Sequence, residues 1–252
     1  MIDDKPRTAL LFARAGRILL GTAMLACLYA CQSAPSMVEQ TVHAPSPMSE
    51  TQGQARWTYL RFRLARDGTG EVDSYLDALI ADQILSGAIA READEILLWR
   101  FHRRWPDDPT GHQFSFIFFA RPVVADRLIA RVRADPVLDR LREEGHLADF
   151  RVDRTSPELG AAAGATSDPS WPPAIQLEWP KFIMGASRMW LGLVQSEAAK
   201  HAELELHERY QAVETALDEL WFEQANHAFF HHLSALFGYQ PVRVIRRDIM
   251  TF

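Results

Sequence analysis

Glu223, His227 and His231 follow one another at four-residue steps, so a helix would set one carboxylate and two imidazoles on a single face. Carboxylate and neutral imidazole are ligands for borderline divalent cations such as zinc. His207 stands four residues after Glu203 and repeats the spacing upstream. Two antiparallel helices could bring it to the other three. Glu223, His227, His231 and His207 are therefore the candidate metal ligands. No His-Glu-x-x-His motif supports them, and a histidine stripe beside Phe229 and Phe230 equally suits a half-buried helix surface. A second group is cationic. Strand parity puts Arg61 and Arg63 on one face of the first expected strand, and Arg100, His102 and Arg104 on one face of the second, opposite Leu97, Trp99 and Phe101. Guanidinium forks can clamp a carboxylate or phosphate, which makes Arg61, Arg63 and Arg100 candidate anion ligands. The structural alternative pairs these arginines with Glu203, Glu205, Glu208, Glu219 and Glu223 on covering helices, or leaves them facing water.

Other chemistries have less to stand on. The chain has no Gly-x-Ser-x-Gly and no glycine-rich phosphate loop. Its only two cysteines are Cys27 and Cys31. Cys31 follows an uncharged, mostly apolar run, Ile18 to Ala30, which is preceded by Lys5, Arg7, Arg14 and Arg17. Basic n-region, apolar h-region and the small residue Ala30 form the three parts of an export signal. The run is too short to cross a bilayer at about 1.5 Å per residue. The stretch Leu28-Tyr29-Ala30-Cys31 resembles the lipobox of bacterial lipoproteins. That resemblance implies a diacylglyceryl group on the Cys31 thiol, cleavage between Ala30 and Cys31, and stable anchoring by several acyl chains. Gln32, standing where an aspartate would retain the protein at the inner membrane, implies the outer membrane instead. The expected location is the bacterial cell envelope, with the membrane as partner through the lipid anchor.

Cys27 would leave with the signal and the Cys31 thiol would carry lipid, so neither is free for a disulfide and stability must come from a hydrophobic core. A chain that is 48% hydrophobic can supply one. Net charge is −6, and losing residues 1–30 removes four basic and two acidic residues, giving −8. An acidic chain is a poor partner for nucleic acid, and none is expected.

Residues 31–55, rich in Ser, Pro, Gln and Thr, read as a flexible tether. Residues 56–154 carry the alternating and helical patterns of one domain. Trp57–Arg66 alternates as a strand, Glu71–Leu85 has helical spacing, and Glu95–Trp105 and His112–Ala120 are strands about a turn at 106–111. Val123–Glu144 is helical with a break or restart at Pro136, and Ala148–Asp153 is a fourth strand. The order βαββαβ predicts an α+β, ferredoxin-like sheet domain. His112 to Phe119 resembles the third-strand motif of RNA-recognition domains, in which aromatics on the open sheet face stack on bases. Here Phe114, Phe116 and Phe118 read instead as a face buried under a cover. Residues 155–174 are a Gly-, Ala- and Pro-rich linker. Residues 175–252 predict a helical pair packed against the sheet, with a kink at Pro180 and a possible terminal strand at Val242–Ile249.

The expected function is a membrane-anchored envelope lipoprotein acting as a non-enzymatic binding or assembly module, with an envelope protein as a potential partner and no cofactor. The alternative is a metal-binding protein or metal-dependent enzyme holding a divalent metal on the C-terminal helices.

Overall fold

Alternation in the first strand separates Leu60, Phe62 and Leu64 from Tyr59, Arg61 and Arg63, and the chain extends there as β1 (Arg56–Leu64). The computed structural model describes residues 55–104, 111–156 and 162–239. The signal segment, Cys31, most of the tether, the turn at 106–110 and the expected strand at Val242–Ile249 lie outside those residues.

After β1, the Asp67 side chain accepts from the Thr69 and Glu71 amides and turns the chain with Gly70 at φ +89°. Helix α1 follows. It is α-helical over Tyr75–Leu79, π-helical over Ile80–Ser86 and α-helical again over Gly87–Arg91. Strands β2 (Ile96–Arg103) and β3 (Gln113–Ala120) come next. Two helices stand where one interrupted helix was expected: α2 (Pro122–Arg133) and α3 (Pro136–Glu143). The cause is local. Asp135 is extended, its side chain accepts from the Val137 amide, and Pro136 occupies the first helical turn. Strand β4 spans Leu147–Arg154.

The result is an α+β fold. Its four-stranded sheet has the order β2-β3-β1-β4, with every neighbouring pair antiparallel. The register places Leu60 opposite Phe116, and Phe62 opposite both Phe114 and Phe150. These side chains therefore share the face that α1, α2 and α3 cover. Leu76, Leu79 and Leu85 of α1 and Val124 and Leu128 of α2 complete that core, all essentially inaccessible. Phe114, Phe116 and Phe118 have no exposure at all, which removes the stacking surface that an RNA-recognition sheet presents. The third-strand resemblance is thus one of sequence alone.

Beyond the sheet, a 3₁₀ turn (Ala163–Thr166) leads into α4 (Pro173–Lys200). Helix α5 (Leu206–Leu220) continues through a π-helical turn (Trp221–Ala225) into α6 (Asn226–Leu236). Helix α4 lies along the β2 edge, where the Ser187 hydroxyl accepts from the Phe101 amide and Trp190 meets the Phe101 and Phe114 rings. That contact occupies a backbone donor that an edge strand would otherwise expose. Helix α5 packs on α1, with Tyr210 and Val213 fully buried. The long C-terminal helices therefore extend the helical layer, and do not cover the arginine-bearing face as the sequence pattern suggested.

Candidate functional site

Arg103 ends β2 on the apolar side of the sheet, since its register partner is Phe114. A cation placed there needs anions, and two converge on it. Its Nε donates to Asp77 Oδ2 at 2.8 Å and its Nη2 to Glu214 Oε1 at 2.7 Å. Asp77 belongs to α1 and is fully buried, while Glu214 belongs to α5. His112, only 2% exposed, lies with Nε2 2.8 Å from Asp77 Oδ2 and 3.0 Å from Oδ1. A carboxylate can only accept, so His112 Nε2 carries the proton. Burial disfavours the Arg103 charge, but Asp77 and Glu214 outweigh it and hold the guanidinium firmly protonated. The network ties α1, β2, the start of β3 and α5 to one another.

Above Arg103 and Glu214 opens a groove of about 460 Å³ between α4 and the α5–α6 rod. Phe182, Met189 and Trp190 form one wall, and Leu217, Trp221 and Phe229 the other. The π-helical turn places Trp221 and Ala225 on this lining, a use of irregular helix that recurs at binding sites. The walls are apolar and the charged groups few, the usual make-up of a pocket for a largely apolar ligand. Phe230, on the groove lining, and Phe222, Leu236 and Phe237 outside it are each at least two-thirds exposed.

The arginine face lies on the other side of the sheet. Arg61 forms an ion pair with Asp153 on β4, Nε to Oδ2 2.6 Å, and lies over the Tyr59 ring, so its partner is within the sheet and not on the helices. Arg61 and Arg63 share a cavity of about 220 Å³ with Arg104 and Arg151, beside Asp149. Arg100 is not part of it. Its guanidinium donates to the Thr166 hydroxyl at 2.8 Å and to the Thr166 carbonyl, and it lies over the Trp57 ring. The structure thus brings two of the three candidate anion ligands together and turns the third to the 3₁₀ turn. Desolvation and then the positive charges of Arg100, Arg104 and Arg61 push the His102 imidazole below its ordinary value. A bulge between Ile96 and Leu98 also moves Leu97 from the expected Trp99 and Phe101 face to the small cluster around Trp57, Ile117 and Phe119.

The four candidate metal ligands do not converge. His227 and His231 stack on one face of α6, 5.7 Å apart between ring centroids, as their spacing requires. His207 sits at the opposite end of the rod. It stands sixteen positions before Glu223, about 24 Å of helix. Its Nδ1 is 3.1 Å from the Tyr75 hydroxyl and its Nε2 donates to Glu144 Oε2 at 2.8 Å.

Arg103, Asp77 and Glu214 were not singled out by motif, and His112 only as the start of the third-strand stretch. Each carried one signal, a charged or polar residue on the apolar face of its own element, which calls for a buried partner. Among the described residues no helix is long and apolar enough to cross a membrane. No family model matches this chain, and neither curated proteins nor solved structures give a match.

Proposed function

We propose that this chain is a lipid-anchored lipoprotein of the bacterial cell envelope, at the outer rather than the inner membrane. Its folded domain is a non-enzymatic binding module of ferredoxin-like topology, and its ligand is a largely apolar small molecule seated between α4 and α5–α6. The groove above Arg103 and Glu214 carries this reading, because its volume of about 460 Å³ falls within the usual range for ligand pockets and its walls are apolar. The βαββαβ element order and the antiparallel strand order β2-β3-β1-β4 support the topology. The apolar run ending at Cys31 supports the anchor.

Two measurements test it. Acyl labelling and membrane fractionation of wild type against Cys31→Ser should show label and sedimentation only in wild type. An unlabelled, cytosolic wild type refutes the anchor. The Cys31→Ser chain should bind an environment-sensitive fluorescent fatty acid saturably, with binding weakened by Met189→Glu. Absence of saturable binding refutes the groove as the ligand site.

A further inference from the structure

Helix α3 ends in a turn that sets two metal-ligand types side by side. The His146 amide donates to the Leu141 carbonyl and the Gly145 amide to that of Arg142, with Gly145 at φ +81°. This is the Schellman pattern, which needs a left-handed residue between its helical and its exiting partner. It fixes Glu144 before the glycine and His146 after it. The packing of α5 on α1 delivers His207, the second residue of α5, to the same place.

We infer that Glu144, His146 and His207 form a binding site for a divalent cation of the zinc type. Their candidate ligand atoms all lie within 4.8 Å of one another. The His146 and His207 ring centroids are 4.9 Å apart. A tetrahedral zinc with bonds of about 2.0–2.1 Å needs its donors roughly 3.4 Å apart. Side-chain rotation at this solvent-accessible site must therefore draw in the widest pair. Among the described residues this is the one set of at least three His, Cys, Asp or Glu side chains whose ligand atoms converge.

The surroundings suit a metal. The Tyr75 hydroxyl sits 3.1 Å from His207 Nδ1 and can hold that nitrogen while Nε2 ligates, as outer-shell partners of ligating histidines do. Nε2 can ligate once the proton it now donates to Glu144 Oε2 is carried on Nδ1 instead, where the Tyr75 oxygen can accept it. Asp73 Oδ2 lies 3.7 Å from His146 Nδ1 and can orient that ring. Arg140 donates to Glu144 Oε1 at 2.8 Å and so orients the carboxylate with Oε2 toward His207. Three protein ligands leave a position for water, the arrangement of open zinc sites. Of the four ligands read from helical spacing, only His207 belongs here. The local signal for the other two is the stretch Glu143-Glu144-Gly145-His146 at a helix end.

The test is titration of the chelator-treated full chain with Co²⁺ followed by Zn²⁺ competition. We expect one equivalent of Co²⁺ with the visible absorption of a tetrahedral N/O site, displaced by Zn²⁺. His146→Ala, His207→Ala and Glu144→Gln should each weaken binding at least about tenfold, and the double variant His227→Ala/His231→Ala should not. Glu144→Gln keeps a hydrogen-bonding side chain of the same shape, so its metal-free thermal unfolding should stay near wild type while Zn²⁺ stabilisation disappears. Lack of saturable binding by wild type overturns the site. So does binding that survives His146→Ala and His207→Ala, or that is lost in the His227/His231 variant.

Discussion

Ser167 donates its hydroxyl to the Gln176 carbonyl at 2.7 Å, and that carbonyl is the one that Pro180, four residues on, cannot bond. A proline inside α4 removes one helical donor, and the 3₁₀ segment supplies the replacement. The same approach brings Gly164 so close that a Cβ there would stand 3.0 Å from the Gln176 oxygen. Ser167→Ala should therefore cost about 1 kcal/mol, and Gly164→Ala about 1–3 kcal/mol by overpacking. Urea unfolding of each variant measures both. Because Thr166 on this segment holds Arg100, either change should also alter the fluorescence of Trp57, which lies under that guanidinium.

Asp77 is the centre of the buried polar network. Replacing it by alanine leaves Arg103 and His112 without their shared anion in a site where Asp77 is fully buried. A loss of about 1–3 kcal/mol is expected, because His112 loses its partner while Arg103 keeps Glu214. Equilibrium denaturation decides it, and a loss under 1 kcal/mol would mean water enters the site.

Tyr210 Oη donates to Asp82 Oδ2 and accepts from Gln83 Nε2 at 2.7 Å, both on the π-helical part of α1. Burial and then the Asp82 carboxylate push its ionisation far above the ordinary tyrosine range. Tyr210→Phe should lower stability by about 1 kcal/mol and loosen α5 from α1. Hydrogen exchange of α5 amides should report that loosening.

Glu92 is 4% exposed and accepts two bonds from Arg127, one of 2.6 Å. That contact holds its carboxyl below its ordinary value, with burial opposing and Arg131 assisting. A depressed carboxylate contributes stability that is fully present above its unfolded pKa of about 4.3 and is lost as pH falls through the folded value. Wild type and Glu92→Gln should therefore differ in thermal midpoint at neutral pH, and the gap should close in acid. A gap that persists at low pH would show that the pair is not its source.

Phe230 lines the groove yet is 67% exposed. Phe230→Asp should change stability by no more than about 0.5 kcal/mol while weakening binding of the fluorescent fatty acid several-fold. Isothermal titration alongside a thermal melt separates the two effects.

Much of the fold is legible in local pattern. The alternation of Leu60, Phe62 and Leu64, the helical spacing of Leu76, Leu79 and Ile80, and the Asp135-Pro136 pair each specify an element or its boundary through neighbours along the chain. The face on which Phe114, Phe116 and Phe118 would lie is not local. It follows from register, which sets Phe114 against Phe62 and Phe116 against Leu60. The sites depend on distance still more. Arg103 reaches Asp77 across 26 positions and Glu214 across 111, while His207 reaches Glu144 across 63. Periodicity within single segments determined the strands, the helices and the candidate export signal. Only the packing of α5 on α1 and of α4 on the β2 edge decided which charged side chains meet and where the groove opens, because side-chain pairing between elements depends on relative placement that no single element encodes.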